Sequence, residues 1–150
     1  MVRRSLCLFA AGLAALTVLA ASASVAAAAS GTKVDLSTTK LGPILTTGAG
    51  YTLFAFTKDT PNMDNCVTTP GCPIFWPPLL TNGAPIAGTG VDASLLGSVS
   101  LPGGKTQVSY NGYPLYGYIF DLFPRATYYV GISAFGGTWE AVTASGTLLK

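Results

Sequence analysis

Gly50-Tyr51-Thr52-Leu53-Phe54-Ala55-Phe56-Thr57-Lys58-Asp59 and Gly112-Tyr113-Pro114-Leu115-Tyr116-Gly117-Tyr118-Ile119-Phe120-Asp121 carry one pattern twice, 62 positions apart. Gly, Tyr, Leu and the closing Asp coincide, and the aromatics align as Phe54 with Tyr116 and Phe56 with Tyr118. In an extended chain Tyr51, Leu53, Ala55 and Thr57 point one way and Phe54 and Phe56 the other. Apolar bulk on both faces predicts a strand buried on both sides. Trp76 follows Asp59 by 17 residues and Trp139 follows Asp121 by 18, which extends the likeness to a tryptophan in each half. The pattern predicts an internal duplication, over about 41–80 and 105–142.

Working outward, short apolar runs are punctuated by Gly, Pro, Thr and Ser about every eight to twelve residues, with little helical periodicity, as expected of an all-β domain. Val34–Leu36 is a candidate first strand, and Leu41–Leu45 and Tyr51–Lys58 form a hairpin about Thr47–Gly50. Asn111-Gly112 between alternating runs is a strong hairpin signal. It organises a meander of Ser98–Leu101, Lys105–Tyr110 and Tyr113–Phe120, and Thr138–Val142 closes the domain. Pro77 and Pro78 make the Trp76 segment extended or edge-like, with Trp76 plugging one end of the core. Asp92–Leu96 reads as a short helical turn. The fold expected is a compact sandwich or partly closed barrel built from two related halves.

The N-terminus has the pattern of a secretory signal peptide over 1–29. A basic start at Arg3-Arg4 precedes an Ala-rich apolar run that ends in Ala27-Ala28-Ala29. The run is also long enough to span a bilayer, but weakly hydrophobic Ala and the crowd of small residues favour cleavage. Residues 30–150 then form a single domain, secreted, periplasmic or at the cell surface, with no stable membrane insertion after cleavage. Of 8 basic and 6 acidic residues, Arg3 and Arg4 depart with the signal, leaving a balanced chain without a basic cluster. Nucleic acid and anionic membrane are therefore not expected as partners. In an exported chain Cys66 and Cys72 are expected to form a structural disulfide. Their spacing is not that of a redox C-x-x-C pair.

The chain has no histidine, which removes Ser-His-Asp and Cys-His catalysis and His-based metal sites. Asp59 and Asp121 invite a paired-carboxylate reading, which for a glycan-acting enzyme needs roughly 5–9.5 Å between them. Strand-end Asp residues that accept loop amides are the plainer expectation. Asp59, Asp64 and Asn65 are a weak calcium constellation, and Gly103-Gly104-Lys105-Thr106 is a hairpin turn rather than a phosphate loop. No metal or other cofactor is expected. Tyr113, Tyr116, Tyr118, Tyr128 and Tyr129 would stack on a sugar or other flat ligand if exposed; as β-formers they more simply serve the core and its rim.

Tyr116-Gly117-Tyr118-Ile119-Phe120-Asp121 resembles the Y-x-[FWY]-x-x-D motif of a family of bacterial secreted-repeat proteins, often lipoproteins. Phe54-Ala55-Phe56-Thr57-Lys58-Asp59 fits it with Phe in the Tyr place. Leu41–Leu45, Cys66, Cys72, Trp76–Leu80, Asp92–Gly97 and Thr106–Gly112 are similar to the family as well. The resemblance runs from about Leu41 to Val142, and it implies export and architecture but no chemistry. No lipid-attachment cysteine is present, which implies a soluble product. Gly131–Gly137 departs from the usual Gly-rich approach to the second Trp. The expectation is a non-catalytic exported binding or cell-envelope-associated module whose ligand, a small molecule or glycan, is unknown. Phe54, Phe56, Asp59, Trp76, Tyr113, Tyr116, Tyr118, Asp121 and Trp139 are its candidate binding residues. The alternatives are a glycan-acting enzyme using Asp59 and Asp121, or a purely structural secreted protein.

Overall fold

The computed structural model describes residues 30–150; the segment read as a signal peptide lies outside the described residues. Strands β1 (Lys33–Thr39) and β2 (Gly42–Thr47) make an antiparallel hairpin in which Val34 faces Thr47 and Thr39 faces Gly42. The three-residue β3 (Phe54–Phe56) follows, then a single helical turn α1 (Cys72–Phe75) and β4 (Ile86–Ala87), which joins β1 in parallel. A 3-10 turn at Ala93–Leu95, whose amide at Ser94 is capped by the Asp92 carboxylate, leads into β5 (Leu96–Ser100). β6 (Thr106–Tyr110) and β7 (Tyr113–Pro114) complete a meander with β5. The chain ends with β8 (Ile132–Ala134), β9 (Gly137–Val142) and β10 (Leu148–Leu149).

These strands form three small sheets, ordered β2-β1-β4, β10-β9-β3 with β8 also on β9, and β5-β6-β7, and they do not close into a barrel. The fold is thus all-β and compact. Single bridges sew the sheets together, Thr46 to Thr52, Ile44 to Thr143, Leu80 to Gln107 and, at the centre, Phe54 to Tyr116. The alternation along the β3 segment divides the interior. Leu53 and Ala55 enter one core cluster with Val34, Leu45, Val108, Tyr110, Leu115 and Val142. Phe54 and Phe56 enter a second with Cys66, Cys72, Trp76, Tyr116 and Trp139. A strand buried on both faces is what its sequence demands.

Asn111 and Gly112 form the β6–β7 turn with φ of 48° and 81°, the left-handed pair that Asn-Gly tolerates best. The strand expected over Tyr113–Phe120 is cut short, because only Tyr113 and Pro114 pair with β6. From Leu115 the chain runs beside Phe75–Leu79 instead. Leu79 donates to the Leu115 carbonyl, Gly117 to that of Pro77 and Ile119 to that of Phe75. Pro77 and Pro78 have no amide proton to return, so this pairing never becomes a regular ladder. Trp76 does not plug an end of the core but lies at the centre of the second cluster.

The Cys66–Cys72 disulfide is formed and holds the loop that delivers Trp76. Closing so short a loop contributes about 2 kcal/mol, whereas emptying the space of a fully packed Trp costs about 3–5 kcal/mol. In urea unfolding, Trp76→Ala is therefore expected to lose more stability than Cys66→Ser. An equal or smaller loss would mean that the loop, not the ring, organises this half of the core.

Candidate functional site

The aromatic residues of the two related stretches meet face to face. Phe54 and Tyr116 exchange both backbone hydrogen bonds, each at 2.9 Å. Phe56 stacks on Trp139 at 4.2 Å, Trp139 on Trp76 at 4.0 Å with planes 1° apart, and Trp76 on Tyr118 at 4.2 Å. Phe54 meets Trp76 edge-on at 5.1 Å, and Tyr116 meets Trp139 edge-on at 5.1 Å. Each tryptophan thus lies against the outer ring of the opposite half and meets the inner ring of its own half edge-on, although Phe56 is fully buried and Tyr118 only half-buried. The close approach explains Gly137, where a Cβ would lie 2.6 Å from the Phe56 ring.

The stack occupies the residues expected to bind. Phe54, Phe56, Tyr116 and Trp139 are fully buried and Trp76 is 1 % exposed, so none offers a face to a ligand. Tyr113 and Tyr118 are half-buried, Tyr118 leaning on Tyr129 at 4.4 Å. Only Tyr128 of the tyrosine group stands clear, with Lys40 Nζ 5.4 Å above its ring.

The closing carboxylates obey the same correspondence up to one atom. The Asp59 amide donates to the Phe56 carbonyl at 3.0 Å and the Asp121 amide to that of Tyr118 at 3.1 Å. The Tyr116 hydroxyl donates to Asp59 Oδ2 at 2.7 Å, and the Asn65 amide to Oδ1 at 2.8 Å. Asp121 would look to position 54 for the same hydroxyl, and there stands Phe54. Neither oxygen of Asp121 has a hydrogen-bond partner, although the residue is 8 % exposed. Burial raises its pKa, and the Thr52 amide, which faces it without closing a well-formed bond, offsets part of the rise.

Burial likewise pushes the Asp59 carboxyl up to about 6, against the Tyr116 and Asn65 donors and with a smaller push from the Asp64 charge. Asp64 is 6 % exposed; its Oδ1 accepts the Val67 amide at 2.7 Å, while Oδ2 has no partner. Burial, then the Asp59 charge, raises the Tyr116 hydroxyl. Asp59 lines a cleft of about 390 Å³ with Asn111, Tyr113 and Leu148. Asp121 lines neither this cleft nor the larger polar groove of about 620 Å³ around Thr81, Ser98 and Lys105. A paired-carboxylate mechanism needs both groups on one cavity, and the geometry does not supply that. Among the described residues no group of three or more His, Cys, Asp or Glu side chains gathers to hold a metal ion.

What the sequence reading missed is an exposed apolar surface. Ile74 and Phe75 on α1, with Ile119, Phe120, Leu122 and Phe123 on the loop after β7, are 39–68 % exposed. Phe75 lies 6.4 Å from Phe120 and 6.0 Å from Phe135 at the β8–β9 turn, which joins α1, the loop after β7 and this turn in an apolar crescent, with Leu122 and Phe123 following along the chain. None of these six lines the clefts above; they project. Comparison with known proteins finds no matching family model, no similar curated protein and no similar solved structure.

The two carboxylates set a pH dependence with a definite sign. Asp59 binds its proton more tightly folded, at about 6, than unfolded, near 3.8. Its contribution is therefore fully present below the unfolded value and is lost as pH rises through the folded one; Asp121 acts in the same direction. Thermal stability should fall between about pH 4 and pH 6.5, and Asp59→Asn should flatten that slope. Phe54→Tyr should supply the hydroxyl missing at Asp121 and stabilise the fold at pH 7 by about 1 kcal/mol or more. An unchanged melting temperature would show that the two halves do not correspond at this atom.

Proposed function

We propose that this chain is an exported, non-catalytic module of the bacterial cell envelope, built from two duplicated halves, that makes its contact through the apolar crescent. The observation carrying the reading is the disposition of apolar surface. The inner aromatic motif residues are consumed by the core, while six large apolar side chains at its margin stand exposed. Soluble chains seldom leave so many large apolar groups contiguous and exposed unless the surface is covered in use. The reciprocal placement of Phe56 on Trp139 and Tyr118 against Trp76, with Phe54 and Tyr116 edge-on to the tryptophans of their own halves, supports duplication. The resemblance to the Y-x-[FWY]-x-x-D proteins and the pattern of residues 1–29 support export, as does a disulfide in a chain with no other cysteine beyond the leader.

A glycan-acting enzyme would need a partner for Asp59 in its cleft and an accessible platform of rings, and the residues nominated for both are placed otherwise. Among the described residues no helix is long and apolar enough to cross a membrane. The crescent is the means of attachment we propose.

Fractionation of cells expressing the full chain tests this. The wild type should partition with the envelope, and Leu122→Ser/Phe123→Ser should move it to the soluble exported fraction by about tenfold or more. Equal partition of the two would remove the crescent from the function.

A further inference from the structure

We infer that the occupant of the crescent is an anionic lipid surface, with Leu122 and Phe123 entering the headgroup region and Arg125, Lys40 and Lys58 meeting the lipid phosphates. This inference rests on the envelope reading above and names what that reading leaves open. The apolar groups sit on a projecting loop rather than in a cavity: Leu122 and Phe123 are each 66 % exposed. Such a shape suits a deformable interface better than a small ligand, which needs a concave site.

Three of the six cations outside residues 1–29 lie on or beside this surface. Arg125 follows the apolar tip directly, and Lys40 shares with it a surface that includes Tyr128. Lys58 reaches the Phe135 carbonyl at 3.5 Å. All three are exposed, and no exposed carboxylate answers them. Asp59 is turned onto Tyr116, Asp64 and Asp121 are buried, Glu140 is buried beside Lys150, and Asp35 is paired with Lys33. Asp92 caps the 3-10 turn beside Tyr110, in the other core cluster. The balanced net charge of the exported chain thus conceals three exposed cations on this face without a carboxylate partner.

This charge pattern also selects among occupants. A second copy docking through the same face would set the three cations against their own symmetry mates, a like-charge contact with nothing to neutralise it. Anionic headgroups above an apolar layer match both the charge and the projecting apolar groups.

Backbone conformation gives an independent sign that the crescent serves something other than stability. Among the described residues four non-glycine residues have positive φ. Two are Asn62 and Asn111, which tolerate it; the others are Arg125 at 63° and Phe135 at 57°. Arg125 sits third in the turn Phe123-Pro124-Arg125-Ala126, closed by the Ala126 amide on the Phe123 carbonyl, where Gly or Asn is favoured. Phe135 takes the first place of a two-residue hairpin turn with Gly136, where Asn is favoured. Arg125 presents its side chain to solvent on the cationic rim, where an anionic bilayer surface would engage it, whereas Phe135 is half-buried against the second core cluster and Phe75.

Flotation of the exported protein, expressed from its full sequence, with phosphatidylcholine vesicles tests the inference directly. Binding should require about a third of phosphatidylglycerol in the vesicles and weaken at high salt. Leu122→Ser/Phe123→Ser should weaken it by about tenfold or more, and Arg125→Gly by about fivefold. Arg125→Gly should bind less while melting a few degrees higher, which separates lost contact from lost folding. Equal binding to neutral vesicles, or undiminished binding by the double variant, would overturn the proposal. So would a concentration-dependent dimer that the double variant abolishes, without vesicle binding. Should the wild type ignore vesicles yet still partition with native envelopes through the crescent, the lipid assignment fails and the envelope reading stands; loss of both sinks both.

Discussion

Everything in this fold hangs on the reciprocal backbone pair between Phe54 and Tyr116. Those two hydrogen bonds fix where the two related stretches cross, and the crossing fixes which rings can meet. With Phe54 and Tyr116 locked together, Phe56 and Tyr118 lie at the two outer ends of a four-ring column, and Trp139 and Trp76 fill its middle. Each ring contact adds about 0.5–1.5 kcal/mol beyond its buried area. The contacts are not separable, however, since each tryptophan touches both halves. A sheet this fragmented, with several elements of two or three residues, draws little from its ladders and correspondingly more from this column.

The arrangement also explains why the disulfide lies where it does. Trp76 arrives on a segment whose Pro77 and Pro78 cannot donate to a neighbouring strand, so its position is not set by regular pairing. The Cys66–Cys72 bridge and the turn of α1 hold it from one side, and Leu115 and Gly117 bond to its successors from the other. Trp139 has no such need, because β9 carries it in a true ladder with Phe56 opposite. Corresponding rings are positioned by different means in the two halves.

How much of this could be read beforehand follows from which interactions leave a periodic trace. Alternation at Leu53-Phe54-Ala55-Phe56 foretells a strand buried on both faces, and the Asn111-Gly112 turn is written in its residues. The repeat of Asp59 at Asp121 marks corresponding places. What no repeat can say is that the tryptophans stack on each other and each lies against the outer ring of the opposite half, because that depends on the crossing geometry. The crescent was illegible for a related reason. Ile119 and Phe120 lie within the motif, and their apolar character promises burial until Tyr118 turns out to be the last ring the column accommodates. Phe135-Gly136 conceals a hairpin because Phe is not a turn residue, so β8 went unforeseen.

The departures from correspondence all tilt the same way. In the half that ends at Asp59, the carboxylate finds the Tyr116 hydroxyl and the Asn65 amide. In the half that ends at Asp121, the hydroxyl is missing and the carboxylate is buried without a partner, a loss of the order of 1–3 kcal/mol by itself. The same half contains the exposed apolar loop and both unfavourable left-handed residues. A domain under selection for stability alone would have restored Tyr at position 54, Asn at 135 and Gly at 125, each a local change. Their joint absence places the strain in the segment from Asp121 to Phe135, the part of the molecule that projects into solvent. At Asp59 both carboxylate oxygens are bonded, and that contrast with Asp121 is what a rigid base carrying a contact surface requires.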